Sequence, residues 1–164
     1  MEQAITTTGS RDLEAHAKED LEDFVTFMIK GQMFGIPVLK VQDILTPNYI
    51  ASIPLAPPEV KGSINLRGRI VTVIDVRVRL GMERRPKEEE GMGVTVEQDN
   101  ELYTLLVDKV GDVISLSNDL YESNPSTLDM VWREFALGVF RLEEQLMVVL
   151  DVPRLLNLKD EKGK

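Results

Sequence analysis

The stretch from Gly62 to Leu80, Gly-Ser-Ile-Asn-Leu-Arg-Gly-Arg-Ile-Val-Thr-Val-Ile-Asp-Val-Arg-Val-Arg-Leu, decides the fold. It reads as a short apolar strand, a tight polar turn, a longer apolar strand, and an aspartate that opens one last helical turn. Gly68 lies between two arginines, where a chain reversal with positive φ would place it. Ile70, Val71, Val73 and Ile74 form a β-branched run of the kind that fits a buried strand.

The same arrangement recurs 76 positions later, from Gly138 to Leu156, without a gap. Six of the nineteen pairs are identical: Gly62/Gly138, Leu66/Leu142, Val73/Val149, Asp75/Asp151, Val76/Val152 and Leu80/Leu156. Most other pairs exchange one apolar residue for another, which points to two similar β modules rather than one large sheet. The turn differs. Asn65, Arg67, Gly68 and Arg69 are replaced by Arg141, Glu143, Glu144 and Gln145. A hairpin of this shape therefore does not require Asn65-Leu66-Arg67-Gly68, and that motif is the first candidate for function.

With 164 residues, 43% hydrophobic and 29% charged, the chain can bury one good core or two small adjoining ones. It has no apolar run near the roughly 20 residues needed to cross a bilayer, and no signal-peptide pattern at its N-terminus. A soluble, cytoplasmic protein is expected. The absence of cysteine excludes disulfides, a thiolate nucleophile and zinc–sulfur sites.

The formal net charge of −9 is unevenly spread: residues 1–23 hold seven acids and two bases. Nucleic acid is an unfavoured partner for such a chain, because phosphate binding needs a positive face. Arg67, Arg69, Arg77, Arg79, Arg84 and Arg85 are a local exception, read as solvated charges alternating along a strand in preference to an anion site.

Residues 1–23 read as a flexible acidic tail carrying the only histidine, His16, so base catalysis by histidine is nearly excluded. The domain spans 24–158, and 159–164 is a polar tail. Phe24–Ile29 and Met33–Ile36 read as paired strands across Lys30-Gly31-Gln32. Pro37 suits the first turn of a helix, on which Val38, Val41, Ile44 and Leu45 share one apolar face. Tyr49–Ile53 reads as a strand. The charged segment Met82–Gly91 divides a first module (about 24–82) from a second (about 92–151). In the second, Met92–Glu97 and Leu102–Val107 are strands, Asp108–Asp112 a bend, Val113–Leu116 a strand, and a helical turn falls around Leu128–Trp132. Val152–Leu158 is a C-terminal helix. Short strands with few helices predict an all-β pair of small, roughly five-stranded barrels, with a groove where they meet.

Asp75, Asp108 and Asp151 each follow an apolar run. They are read as strand-ending caps rather than as an acid/base or metal set. No Gly-rich phosphate loop, serine elbow or His/carboxylate pairing is present in the sequence. Neither catalysis, a metal nor a cofactor is expected.

Three segments in order, residues 34–44 (Phe-Gly-Ile-Pro-Val-Leu-Lys-Val-Gln-Asp-Ile), 60–77 (Val-Lys-Gly-Ser-Ile-Asn-Leu-Arg-Gly-Arg-Ile-Val-Thr-Val-Ile-Asp-Val-Arg) and 106–116 (Leu-Val-Asp-Lys-Val-Gly-Asp-Val-Ile-Ser-Leu), resemble the CheW-like domain family of chemotaxis coupling proteins. The resemblance runs from about Phe24 to Leu158. Thr72 stands where many relatives have proline, Asp43 where glutamate is usual, and Val76 where leucine is usual.

The resemblance implies two SH3-like five-stranded barrels side by side and a scaffold without catalytic activity. It implies two partners: the helical cytoplasmic tip of a chemoreceptor, lying in an apolar groove between the barrels, and the regulatory domain of the histidine kinase CheA. The kinase domain has the same fold and packs barrel to barrel in rings, at receptor arrays under the inner membrane. Carried over by position, Val41, Gly62 and Val113 match receptor contacts, and Ile44 joins them as Val41's neighbour on the expected helix face. Asp43 and Arg67 match an acid–arginine pair bracing the first barrel, where Arg67 could hold the acid through two parallel bonds. For Val41 and Val113, core packing and partner contact are both open. For Gly62, the choice is between a turn glycine and close approach of a partner backbone. An isolated kinase-type regulatory domain or a receiver-fused adaptor would look alike over this stretch, and a chain beginning at Met1 with a short C-terminal tail favours a stand-alone protein.

Overall fold

A computed structural model describes residues 21–86, 89–123 and 128–158. His16, Pro125 and the tail from Lys159 lie outside them. Strands β1 (Leu21–Ile29), β2 (Gln32–Pro37), β3 (Val41–Leu45), β4 (Val60–Leu66) and β5 (Arg69–Asp75) lead into helix α1 (Val76–Arg79). Strands β6 (Met92–Gln98), β7 (Glu101–Val107), β8 (Lys109–Ser117) and β9 (Tyr121–Glu122) follow, then α2 (Met130–Arg133), β10 (Ala136–Arg141), β11 (Leu146–Leu150) and α3 (Val152–Leu155). Two 3-10 turns cover Val38–Lys40 and Asn118–Leu120.

The protein is all-β, with two sheets ordered β8-β1-β2-β11-β10-β9 and β3-β6-β7-β5-β4. Each curls round to close in the SH3-like manner. In the first sheet β8 pairs with β1, and its continuation β9 pairs with β10. In the second, β3 pairs with β6, and the chain beyond it bridges β4 through Ala51 and Ser63. The strand expected over Tyr49–Ile53 reduces to that single bridge, because Pro54, Pro57 and Pro58 follow it and cannot donate to a ladder.

The repeat is real in three dimensions. β4-β5-α1 and β10-β11-α3 are both hairpins followed by a short helix, with a ladder shift between Val60 and Gly62 in one and between Ala136 and Gly138 in the other. The side chains of Asp75 and Asp151 accept from Arg77 N (3.1 Å) and Arg154 N (3.2 Å), capping the two helices. Each hairpin runs parallel to a strand of the other half, β5 to β7 and β11 to β2. These strands are therefore buried on both faces, which explains their unbroken apolar runs.

A second repeat appears at the crossings between sheets. Residues 38–45, Val-Leu-Lys-Val-Gln-Asp-Ile-Leu, match 107–114, Val-Asp-Lys-Val-Gly-Asp-Val-Ile, at four of eight positions. Both segments carry the chain from one sheet to the other, and both bulge at the same point, between Val41 and Asp43 and opposite the Val25–Phe27 step. The halves 21–80 and 92–156 are thus interlaced. β1 and β2 join β8–β11, whereas β3, β4 and β5 join β6 and β7. The expected division at Met82–Gly91 does not separate the barrels, since that segment joins α1 to β6 beside the same sheet. Pairings such as Leu21 with Ser117 leave no trace in local pattern.

The main core lies between the sheets and draws on both: Phe27, Phe34 and Leu150 from one, Ile74, Val94 and Leu105 from the other. Smaller clusters fill the far faces, Phe24/Phe140/Met147/Val149 in one barrel and Ile64/Val71/Val73/Leu106 in the other. Each fully buried aliphatic side chain contributes about 1.5–3 kcal/mol, so the shared core holds the barrels in one orientation.

Candidate functional site

The helix expected from Pro37 is instead one 3-10 turn followed by strand β3. The bulge near Gln42 adds one residue to the strand's two-residue rhythm, so Val41 and Ile44 fall three apart and imitate helical spacing. On the strand they do different work. Val41 packs against the main core, whereas Ile44 is 40% exposed. Val113, on β8, is 55% exposed and pairs with Val25, as Ile44 pairs with Val94. Ile44 and Val113 therefore hold equivalent positions on the two crossing strands and leave apolar surface free on each.

Asp43 and Arg67 meet as expected, with Arg67 Nη2 2.8 Å from Asp43 Oδ2. Arg67 engages that one oxygen; Asp43 Oδ1 instead accepts from the Ile44 N–H at 2.9 Å. The hairpin turn puts Arg67 at φ 54° and Gly68 at φ 85°, the two-residue type that favours Asn-Gly. Asn65 Oδ1 accepts from the Gly68 N–H at 2.9 Å and stiffens the turn. Leu66 is half-buried and packs on the small cluster beneath. Arginine at a left-handed position costs on the order of 1 kcal/mol against glycine, so Arg67 is there for its side chain.

Gly62 is buried at φ 154°, and a Cβ there would collide with the carbonyl oxygen of Ala51 and with Ile50. The backbone that approaches Gly62 is the chain's own, at the bridge that closes the barrel. Gly138 serves the same end in the other barrel, where a Cβ would strike Glu122 O and the Tyr121 ring.

The arginine cluster departs most from expectation. Arg67, Arg69 and Arg84 are exposed, but Arg77, Arg79 and Arg85 are buried. Arg77 donates through Nε (3.0 Å) and Nη2 (2.9 Å) to Asp108, and Arg85 Nη2 donates to the same carboxylate. The Lys30 N–H donates to Asp108 Oδ2 at 2.8 Å. Asp108 is thus no cap. It pins the crossing into β8 to the β1–β2 turn on one side and to α1 on the other. Burial alone would raise its carboxyl, but the bonds from Arg77, Lys30 and Arg85 outweigh burial and lower it from 3.8 to about 2. Arg77 is raised in turn, chiefly by its bonds to Asp108. Arg79 donates to the Leu155, Arg154 and Asn157 carbonyls and lies over the Phe135 ring, tying α1 to the end of α3. One sequence signal was available: all the bases between 67 and 85 are arginine, the residue suited to buried, multiply bonded sites.

Among the described residues, no group of three or more His, Cys, Asp or Glu is placed to hold a metal ion. No helix among them is long and apolar enough to cross a membrane.

Comparison with known proteins agrees with the fold and the motifs. A family model described as the CheW-like domain matches residues 23–160. "Chemotaxis protein CheW" of Klebsiella aerogenes is 28% identical over 139 residues, covering 85% of this chain and 84% of the relative. "Chemotaxis protein CheW" of Treponema pallidum is 27% identical over 158 residues, covering 94% and 93%. The crystal structure of the scaffolding protein TtCheW from Thermoanaerobacter tengcongensis superposes with a TM-score of 0.76 at 26% identity, over 84% of this chain and 93% of that one. The sheets, the repeated crossings and the matched residues 23–160 together place the chain in the CheW-like domain family.

Proposed function

We propose that this chain is a non-catalytic chemotaxis adaptor. It couples chemoreceptors to the histidine kinase CheA, in the cytoplasm at receptor arrays under the inner membrane. The observation that carries this is the family match across residues 23–160, which takes in every described strand but the first two residues of β1. The named relatives are chemotaxis proteins, and TtCheW, whose fold this chain shares, is a scaffolding protein.

The receptor tip is a helical hairpin, and helices dock through apolar anchors. Ile44 and Val113 are the direct anchors in this proposal, being exposed, apolar and equivalent by the internal repeat. Val41 and Gly62 act from beneath, one as the packing under β3 and the other as the closure of its barrel. Arg67 and Asp43 fix the β4–β5 hairpin against β3. The CheA regulatory domain, a module of the same fold, packs against a barrel elsewhere on the surface.

Titration of a chemoreceptor cytoplasmic fragment against the wild-type chain and against Ile44→Glu and Val113→Glu tests the assignment. Each substitution lowers affinity at least about tenfold, as loss of a buried apolar anchor does. Wild-type affinity in both folded variants would overturn it.

A further inference from the structure

The repeat that relates the two crossings reaches back into the strands that receive them. Val25-Thr26 in β1 and Val94-Thr95 in β6 stand at the same spacing as Val41 and Val110. Each threonine sits opposite a crossing bulge: Thr95 pairs with Asp43, and Thr26 lies between the Val25–Val113 and Phe27–Val110 pairs. Their hydroxyls do different work. Those of Thr95 and Thr104 bond each other at 2.7 Å in the core. Thr26 instead faces Gly35, which has no hydroxyl to offer, and Met147 fills the space a Cβ would take there. The Thr26 hydroxyl, on a residue only 3% exposed, therefore turns to β8 and donates to the Asp112 carbonyl at 2.7 Å.

Asp112 is the equivalent of Asp43, one residue before Val113 as Asp43 is one before Ile44. At the first crossing Arg67 holds the Asp43 carboxylate. In the second hairpin Glu143 stands in place of Arg67, and its like charge cannot hold Asp112. The Thr26 hydroxyl holds the same residue from the neighbouring strand, through its backbone. Gly111 matches this arrangement, since a Cβ there would lie 2.8 Å from Thr26 Oγ1, whereas its equivalent, Gln42, carries a full side chain. A bulge re-aims the side chains beside it, so a bond to the bulge sets the direction of the next one. That next side chain is the exposed Val113.

We propose that Thr26 is a positioning residue for partner binding. By fixing the Asp112 carbonyl it aims Val113 at the receptor helix, the task that Arg67 performs for Ile44 through Asp43. This deepens the adaptor function proposed above and rests on it. Thr26 is buried and acts only through β8.

The test measures the affinity of a chemoreceptor cytoplasmic helical-hairpin fragment for the full chain and its variants, each well below its melting temperature. The variants are Thr26→Val, Thr26→Ser, Val113→Ala and Ile44→Ala, with Thr26→Val also combined with each alanine. Thr26→Val keeps the shape and loses the bond, weakening binding about three- to tenfold, the share of one hydrogen bond. Thr26→Ser keeps wild-type affinity. Combined with Val113→Ala, most of the Thr26→Val loss disappears, whereas with Ile44→Ala it adds in full. Wild-type affinity in a folded Thr26→Val, beside a loss in Val113→Ala, would confine Thr26 to stability and leave the adaptor function standing. A Thr26→Ser variant as weak as Thr26→Val, or full additivity with Val113→Ala, would also overturn the positioning role. No binding by the wild-type chain would overturn the adaptor function itself, and the role of Thr26 with it.

Discussion

The halves 21–80 and 92–156 follow one plan, and their differences divide what builds the fold from what is left over for partners. Both have a hairpin with a glycine at the barrel closure, an aspartate capping the helix after it, and a bulged strand that crosses to the other sheet. They part company at the crossing, Leu39 against Asp108, and at the hairpin turn. There the first half has the tight Arg67-Gly68 turn braced to Asp43, and the second has a wider one closed by Leu142 N donating to Gln145 O. Shared residues carry stability. Unshared ones are either clasps specific to one half or surface offered outward.

The crossing pair gives the sharpest contrast. Asp108→Ala leaves the buried Arg77 with Glu89 alone (3.1 Å) and Arg85 with only the more distant Asp75 (3.9 Å), and is expected to cost roughly 3 kcal/mol in urea unfolding. Leu39→Ala, at a residue 91% exposed, changes stability by less than about 0.5 kcal/mol. Equal losses at the two positions would break the distinction between clasp and surface.

The glycines come next. Gly62→Ala and Gly138→Ala both press a Cβ onto a closing backbone, and each is expected to lose on the order of 2 kcal/mol. A Gly62→Ala variant as stable as wild type would return Gly62 to the role of a receptor contact alone.

Acid sharpens the same contrast. The Asp108 carboxyl is lowered from 3.8 to about 2 in the folded chain, so its contribution is complete above the unfolded value and is lost as pH falls from about 4 towards 2. The acid limb of stability should flatten in Asp108→Asn over that window. An unchanged limb would mean that other carboxylates dominate.

The smallest effect is at the turn. Arg67→Asn suits the left-handed backbone better, while the lost surface ion pair is worth about 0–1 kcal/mol, so stability should move by less than about 1 kcal/mol either way. Receptor binding should fall all the same, because the hairpin is no longer held to β3. A large stability loss would make the pair structural.

How much of this was legible follows from what is local. The hairpin repeat, its two helix caps and the turn at Gly68 could be read because each depends on neighbours a few residues away. The β3 strand could not, since a bulge at Gln42 gave Val41 and Ile44 the spacing of a helix face. The abundance of β-branched residues there was the weaker, correct signal. Interlacing of the halves was invisible, because β1 meets β8 across more than 80 positions and nothing in either strand names its partner. The buried arginines read as solvated, because a charge next to a strand looks the same whether or not an aspartate waits across the crossing. Of the candidate site, the Asp43–Arg67 pair is placed together by the structure, and Ile44 and Val113 stand exposed. Val41 and Gly62 face inward, towards the core and the barrel closure.

The most direct measurement is a three-component sedimentation of chemoreceptor cytoplasmic fragments arranged on vesicles, the CheA kinase and this chain. A coupling protein predicts that kinase pellets with receptor in proportion to added chain, and that Val113→Glu abolishes this while still binding kinase. Kinase that pellets equally without the chain, or a chain that stays in the supernatant with both partners present, would contradict it.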